Sequence, residues 1–172
     1  MKKILRFLWP GLLILACPNT PAQDRNAVTG GVRWHAEHSV FSDLPFGKGD
    51  LSYALGYEYH EGMALWQICA DYAPDLSGTN KANYAITPQL NLLFKDKIWR
   101  AGLGVLDTYV SSKDDAHNGW TSIYWQFIAG IDVPIKKFSL GASVFYPFAH
   151  WGELDRFDYR DLDYGVSLSY HF

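Results

Sequence analysis

Cysteine is nearly missing from this 172-residue chain, which has only two. That rules out a disulfide-stapled scaffold. Charge is also sparse, at 19% of residues against roughly 25% in ordinary soluble proteins. There is no excess of basic residues, because the formal net charge is −3. A nucleic-acid partner is therefore not expected. Long hydrophobic runs are absent beyond the first two dozen residues. No later stretch approaches the roughly 20 apolar residues that a membrane helix requires. Aromatic residues, by contrast, are abundant, with 7 Trp, 11 Tyr and 10 Phe making up 16% of the chain. Mean hydropathy is nevertheless −0.13. An aromatic-rich, weakly charged chain with no spanning helix fits a transmembrane barrel, whose apolar residues are dispersed by alternation.

The first segment has the layout of a secretory signal peptide. Lys2, Lys3 and Arg6 precede an apolar stretch from Phe7 to Ala16, and Thr20-Pro21-Ala22 supplies small residues before a cut. The expected division is a signal peptide over 1–22 and one domain over 23–172. Ile14-Leu15-Ala16-Cys17 offers the alternative of a lipidated Cys17. Removing residues 1–22 takes away three basic residues and no acidic ones. That leaves 12 Lys and Arg against 18 Asp and Glu, a net of −6. Cys69 is then a lone thiol, expected to act as a small buried apolar residue.

Period-two alternation runs through the rest of the chain, as a barrel wall demands. It is clearest at the C-terminus. Leu162, Tyr164, Val166, Leu168, Tyr170 and Phe172 share one face, while Asp163, Gly165, Ser167, Ser169 and His171 share the other. The same alternation marks residues 50–60, 83–94, 122–133 and 137–148, and less cleanly 28–40, 62–72 and 98–109. Asp107 would face lipid, so a bulge or an interfacial position is expected there. Eight strands result. Their connections alternate strictly between short (around Glu61, Lys95–Lys97 and Pro134–Lys136) and long (41–49, 73–82, 110–119 and 149–161). The predicted fold is all-β: an eight-stranded antiparallel up-and-down transmembrane barrel. Short periplasmic turns would place both termini in the periplasm and four long loops outside.

The closing Tyr170-His171-Phe172, with Phe last and aromatics at alternate positions, resembles the assembly signal of bacterial outer-membrane barrels. With the signal peptide and strand count, the chain resembles the small eight-stranded group typified by OmpX and the OmpA membrane domain. The resemblance implies insertion by the barrel assembly machinery and carries over no functional residues.

Eight strands leave an interior that side chains just fill. The inward positions hold Arg33, Glu37, Glu58, Arg100 and Asp132 as ion-pair candidates, joined by Gln67, Gln89 and Gln126. Arg33, Glu58 and Arg100 are expected at similar depth. A polar plug of this kind argues against a diffusion pore. Aromatics near strand ends, Trp66, Tyr72, Trp99 and Trp125 among them, are read as interface anchors. Pro88 and Pro147 interrupt ladders, as a bulge or kink or, alternatively, a weakened lateral seam.

Rim residues include His35, Glu37, His38, Asp50, Asp71, Asp107, His117, His150 and Asp163. His35, His38 and Asp71 are the weak catalytic candidates, since His with Asp and a hydroxyl can perform acyl transfer. The His-x-Ser-Asn motif of outer-membrane lipid A deacylases is absent. Loop 149–161 is charged. It is read as solvated or, alternatively, as contacting lipopolysaccharide phosphates through divalent ions. No spacing marks a metal site or calls for a cofactor. The leading expectation is a monomeric structural or surface-interaction barrel, in contact with outer-membrane lipid and lipopolysaccharide. A lipid-A acyl hydrolase or acyltransferase is second, and a narrow channel third.

Overall fold

A computed structural model describes residues 25–37, 44–77, 82–112 and 118–172. The expected signal peptide, Cys17, His38 and His117 lie outside the described residues.

Among the described residues, ten strand segments follow one another: β1 (Asn26–Trp34), β2 (Leu51–Glu61), β3 (Ala64–Pro74), β4 (Ala82–Asp96), β5 (Trp99–Leu106), β6 (Tyr109–Ser112), β7 (Gly119–Trp120), β8 (Tyr124–Ile135), β9 (Phe138–Phe148) and β10 (Asp163–His171). They make eight staves, because β5 and β6 continue one another along β4, and β8 and β7 continue one another along β5 and β6. Every pairing is antiparallel, and β1 pairs with β10 to close the ring. Closure leaves no stave with an open edge, which is what a sheet surrounded by hydrocarbon needs.

Three tight turns join staves at Gly62–Met63, Lys97–Ile98 and Lys136–Lys137. Gly62, Lys97 and Lys136 take left-handed φ values of 60°, 53° and 58°. Such values suit the sharp reversal of a two-residue hairpin. β1 begins and β10 finishes at this turn end, where the Phe172 N–H donates to the Asn26 carbonyl at 2.9 Å. The long connections gather at the opposite end.

Alternation sorts side chains as the sequence predicts. On β2, Leu55 is 67% exposed while Ser52 and Glu58 are fully buried. Outward aromatics gather near both ends: Tyr57, Trp66, Trp99, Phe138 and Tyr170 at the turn end, and Tyr53, Tyr72, Trp120 and Tyr164 at the loop end. Aliphatic residues such as Leu55, Ile68, Leu90 and Val166 lie between them.

The expected irregularity near Asp107 is real, but its extra residue is across the seam. Opposite β4, the register of β5 carries through to β6 unchanged. Opposite β7 and β8, residues 107–108 face three residues, 121–123. The bulge therefore turns Ser122, which by alternation shares the inward parity of Gln126, out to an exposed position. A second shift, between Ala82 and Tyr84, exposes Asn83, which by alternation shares the inward parity of Gln89.

The loop end folds over itself in two ways. Leu44 and Phe46 dip into the mouth and pack with Ala73, Leu76, Leu106 and Tyr124. Residues 151–156 and 159–161 form short 3-10 helices. Trp151 and Phe157 from this loop cover Phe148 and Tyr146. Those two side chains share the outward parity of Phe138 and Leu140 yet are buried. The interior is therefore not wholly polar. Besides the apolar mouth, Leu65, Leu93 and Ile128 form an inward cluster, with Phe145 packed beside it.

Candidate functional site

Two buried ionic clusters occupy the barrel interior. The one nearer the mouth centres on Asp163, the first residue of β10. Its Oδ2 accepts from Arg33 Nε at 2.9 Å and Nη2 at 2.8 Å. Its Oδ1 accepts from the Ala36 N–H at 2.7 Å. Arg33 also donates to Gln126 Oε1 at 3.0 Å, lies 3.9 Å from Asp71, and rests over the Phe145 ring. A buried guanidinium needs this many partners to offset lost hydration.

His35 joins the same cluster. Its Nδ1 lies 3.1 Å from Asp163 Oδ2 and its Nε2 lies 3.1 Å from Ser52 Oγ. A hydroxyl, an imidazole and a carboxylate thus stand in line, in the order used by acyl-transfer enzymes. The expected carboxylate, Asp71, does not fill that role; Asp163 does. Three features weigh toward a structural hub. Ser52 is fully buried. Phe46 stacks flat on the His35 ring at 3.8 Å. Arg33 already neutralises Asp163, which weakens its hold on an imidazolium. The hub ties β1, β2 and β10 to the mouth loop.

The second cluster lies toward the turn end. Glu58 accepts from Gln67 at 2.8 Å and lies 3.4 Å from His60 and 3.8 Å from Arg100. Arg100 donates to Ser143 at 2.9 Å and Ser167 at 3.3 Å. Asp132 pairs with Lys95, and His171 bonds Ser139 at 2.9 Å. Of the sequence candidates, Glu58 and Arg100 come together, and Asp132 takes Lys95 instead. Two expectations need correction. Arg33 is not level with Glu58: it pairs with Ser52, six residues along β2 from Glu58. Glu37 is not inside, because β1 ends at Trp34 and Glu37 is exposed.

Between the clusters lies a cavity of about 60 Å³ bordered by Arg33, Cys69, Asp71, Gln89 and Arg100. That is room for a few waters. Asp71 Oδ1 and Arg100 Nε and Nη1 make no hydrogen bond to protein. Waters in that cavity suit them.

Around the rim, Asp50 accepts from Gly47 N–H and from the Ser77 backbone and hydroxyl. It thereby pins two long connections together. Asp107 accepts from Thr108 N–H and the Thr121 hydroxyl across the bulge. His150 is exposed beside the first 3-10 helix. Among the described residues, no group of three or more His, Cys, Asp or Glu could hold a metal ion.

The proline seam is closed. Pro88 points outward and stays in register with Ala70, and its carbonyl accepts from Asp107 N–H at 3.4 Å. In an antiparallel strand the N–H and C=O of a residue point the same way. The missing donor therefore falls at residues 107–108, where the ladder is already interrupted. Beside it, the Thr87 and Thr108 hydroxyls bond at 2.9 Å. Pro147 faces inward opposite Gln126, within the β8–β9 ladder.

Sequence reasoning passed over Ser52, Phe46, Lys95 and Tyr124. Ser52 and Tyr124 have inward parity, so their place inside was legible, though their partners were not.

No protein-family model matches the sequence, and no curated protein matches it. Similar solved structures do exist. Neisserial surface protein A is 10% identical with a TM-score of 0.55, over 88% of this chain and 100% of that one. Ail, the attachment invasion locus protein of Yersinia pestis, is 12% identical with a TM-score of 0.46, over 87% of this chain and 99% of that one. The fold is that of the small eight-stranded outer-membrane barrels. Tyr170 and Phe172, the residues resembling an assembly signal, are exposed on its outer face at the turn end.

Proposed function

We propose that this chain spans the bacterial outer membrane as a monomer, with its turns and termini periplasmic and its long loops outside. Its role is structural or surface-interacting, without conduction. One observation carries the reading: a closed ring of apolar outward side chains surrounds an interior filled by ion pairs and by Leu44 and Phe46. Such a barrel is stable only where hydrocarbon meets its wall, and it offers solutes no path. Lipid and lipopolysaccharide are its lateral partners, and the barrel assembly machinery inserts it.

The test is refolding into phospholipid vesicles, read by the shift in gel mobility on heating, followed by planar-bilayer recording. The folded form should appear only with lipid or detergent and should give no unitary current steps. Folding in plain buffer would overturn the membrane assignment. Discrete steps would support the channel reading instead.

The bonds from His35 to Ser52 and Asp163 favour a second reading, acyl hydrolysis or transfer on lipid A with Ser52 as nucleophile. It requires the Phe46 segment to withdraw. A fluorophosphonate that labels wild type but not Ser52→Ala, together with a one-chain change in lipid A mass on overexpression, would establish it. Unlabelled protein and unchanged lipid A would dismiss it.

A further inference from the structure

The outer wall carries a groove of about 720 Å³ that neither ionic cluster accounts for. Its floor is made by two alanines. Ala101 on β5 and Ala129 on β8 stand directly opposite one another, and both point outward. Gly102 adds no side chain beside them. Neighbouring outward positions are bulkier. Phe94 faces Ala101, Val144 faces Ala129, and Leu103 faces Phe127. The result is a trough bordered by rings and branched chains.

Loop 149–161 roofs the trough. Leu154 and Phe157 line its loop-side end, and Phe157 packs on Tyr146 with ring centroids 4.8 Å apart. The Phe157 ring nevertheless remains 57% exposed. The loop thus turns its apolar residues down along the wall, although a solvated loop would turn them away. The polar side of the loop is also arranged. Glu153 is held by the Ala149 and His150 N–H groups. Asp158 accepts from Arg160 N–H, and Asp161 is buried. Arg156 and Arg160 are exposed on the same loop, Arg156 next to Phe157 in the chain and Arg160 over the Tyr159 ring.

We propose that this groove is a binding site for an acyl chain of lipid A, laid from beneath Phe157 toward Phe94 with a headgroup phosphate near Arg156 and Arg160. The inference rests on the membrane-spanning reading above. The occupant follows from place and chemistry. A trough on the lipid-facing wall with almost wholly apolar lining offers water no partners, and its volume is that of an ordinary ligand site. Its roof is at the loop end, so the chain that enters beneath it descends from the outer leaflet. Guanidinium groups suit phosphate there.

The experiment is native mass spectrometry of the full chain refolded in detergent with purified lipid A, and separately with phosphatidylethanolamine. Wild type should retain one lipid A after washing. Ala101→Leu/Ala129→Leu, which fills the trough with equally apolar side chains, should retain about tenfold less. Ala142→Leu, on the same wall outside the trough, should match wild type. If the double variant does not fold, Phe157→Ala, which removes only the roof, carries the same expectation. Equal retention by wild type and the filled or unroofed variants would overturn the site. Tighter retention of phosphatidylethanolamine than of lipid A would overturn its assignment. Failure of wild type to fold with detergent or lipid would strike the membrane reading itself, and the heat-shifted gel band separates that outcome from the others.

Discussion

Arg33 reaches Asp163 with two nitrogens, Nε and Nη2, and both fall on the same carboxylate oxygen, Oδ2. The contact joins the first strand to the last across the seam that closes the barrel. Both side chains are buried, so neither tolerates losing the other. Asp163→Ala should lower stability by about 3–5 kcal/mol, the cost of stranding a buried charge. Arg33→Met/Asp163→Leu should be markedly less harmful than either single change. Urea unfolding in lipid vesicles measures both.

Gly102 has no tolerance for a side chain. A Cβ there would collide with the Leu92 carbonyl and the Leu93 Cα, both backbone and unable to swing away. Gly102→Ala should destabilise by about 1–3 kcal/mol. Gly152, whose Cβ would meet nothing within 4 Å, should accept alanine without measurable change. Paired unfolding curves decide the comparison.

The thiol of Cys69 provides a gauge of the interior. It borders the central cavity and bonds weakly to Gln67 and Asn91. A bulky maleimide should leave it unmodified in the folded barrel and label it fully in urea. Fast labelling of folded protein would contradict the filled lumen.

Phe46 is the stopper of the mouth, so removing its ring should loosen what lies beneath. Phe46→Ala should speed the reaction of Cys69 with a small methanethiosulfonate while leaving the heat-shifted gel band in place. An unchanged rate would mean that Leu44 and Leu76 seal the mouth unaided.

Strand number, turns and facing were readable because a membrane wall enforces strict period-two alternation. Tyr53, Leu55 and Tyr57 each fall outward as their spacing demands. Register was not readable, since it fixes which inward side chains meet around the circumference. Asp163 was assigned to the rim, yet it is the partner of Arg33 130 positions away. Lys95 was placed in a turn, yet its ammonium turns back to Asp132. Loop conformation left the weakest trace. Nothing in the spacing of Leu44 and Phe46 indicates that they fold into the mouth, and Tyr146 and Phe148 alternate as wall residues although a loop covers them. In the hydroxyl–imidazole–carboxylate line, His35 stands beside Asp163, where the sequence offers Asp71.

The first stave is zipped to the last along eight consecutive residue pairs, from Ala27–His171 to Trp34–Tyr164. The final seam therefore cannot form until the polypeptide's tail has arrived. Until then two long ribbons of unbonded amides and carbonyls stand ready to recruit any passing strand. Insertion must accordingly behave as a latch: removing the whole of Asp163–His171 should leave the ring unjoined and direct the chain to degradation, not to a slightly weaker barrel.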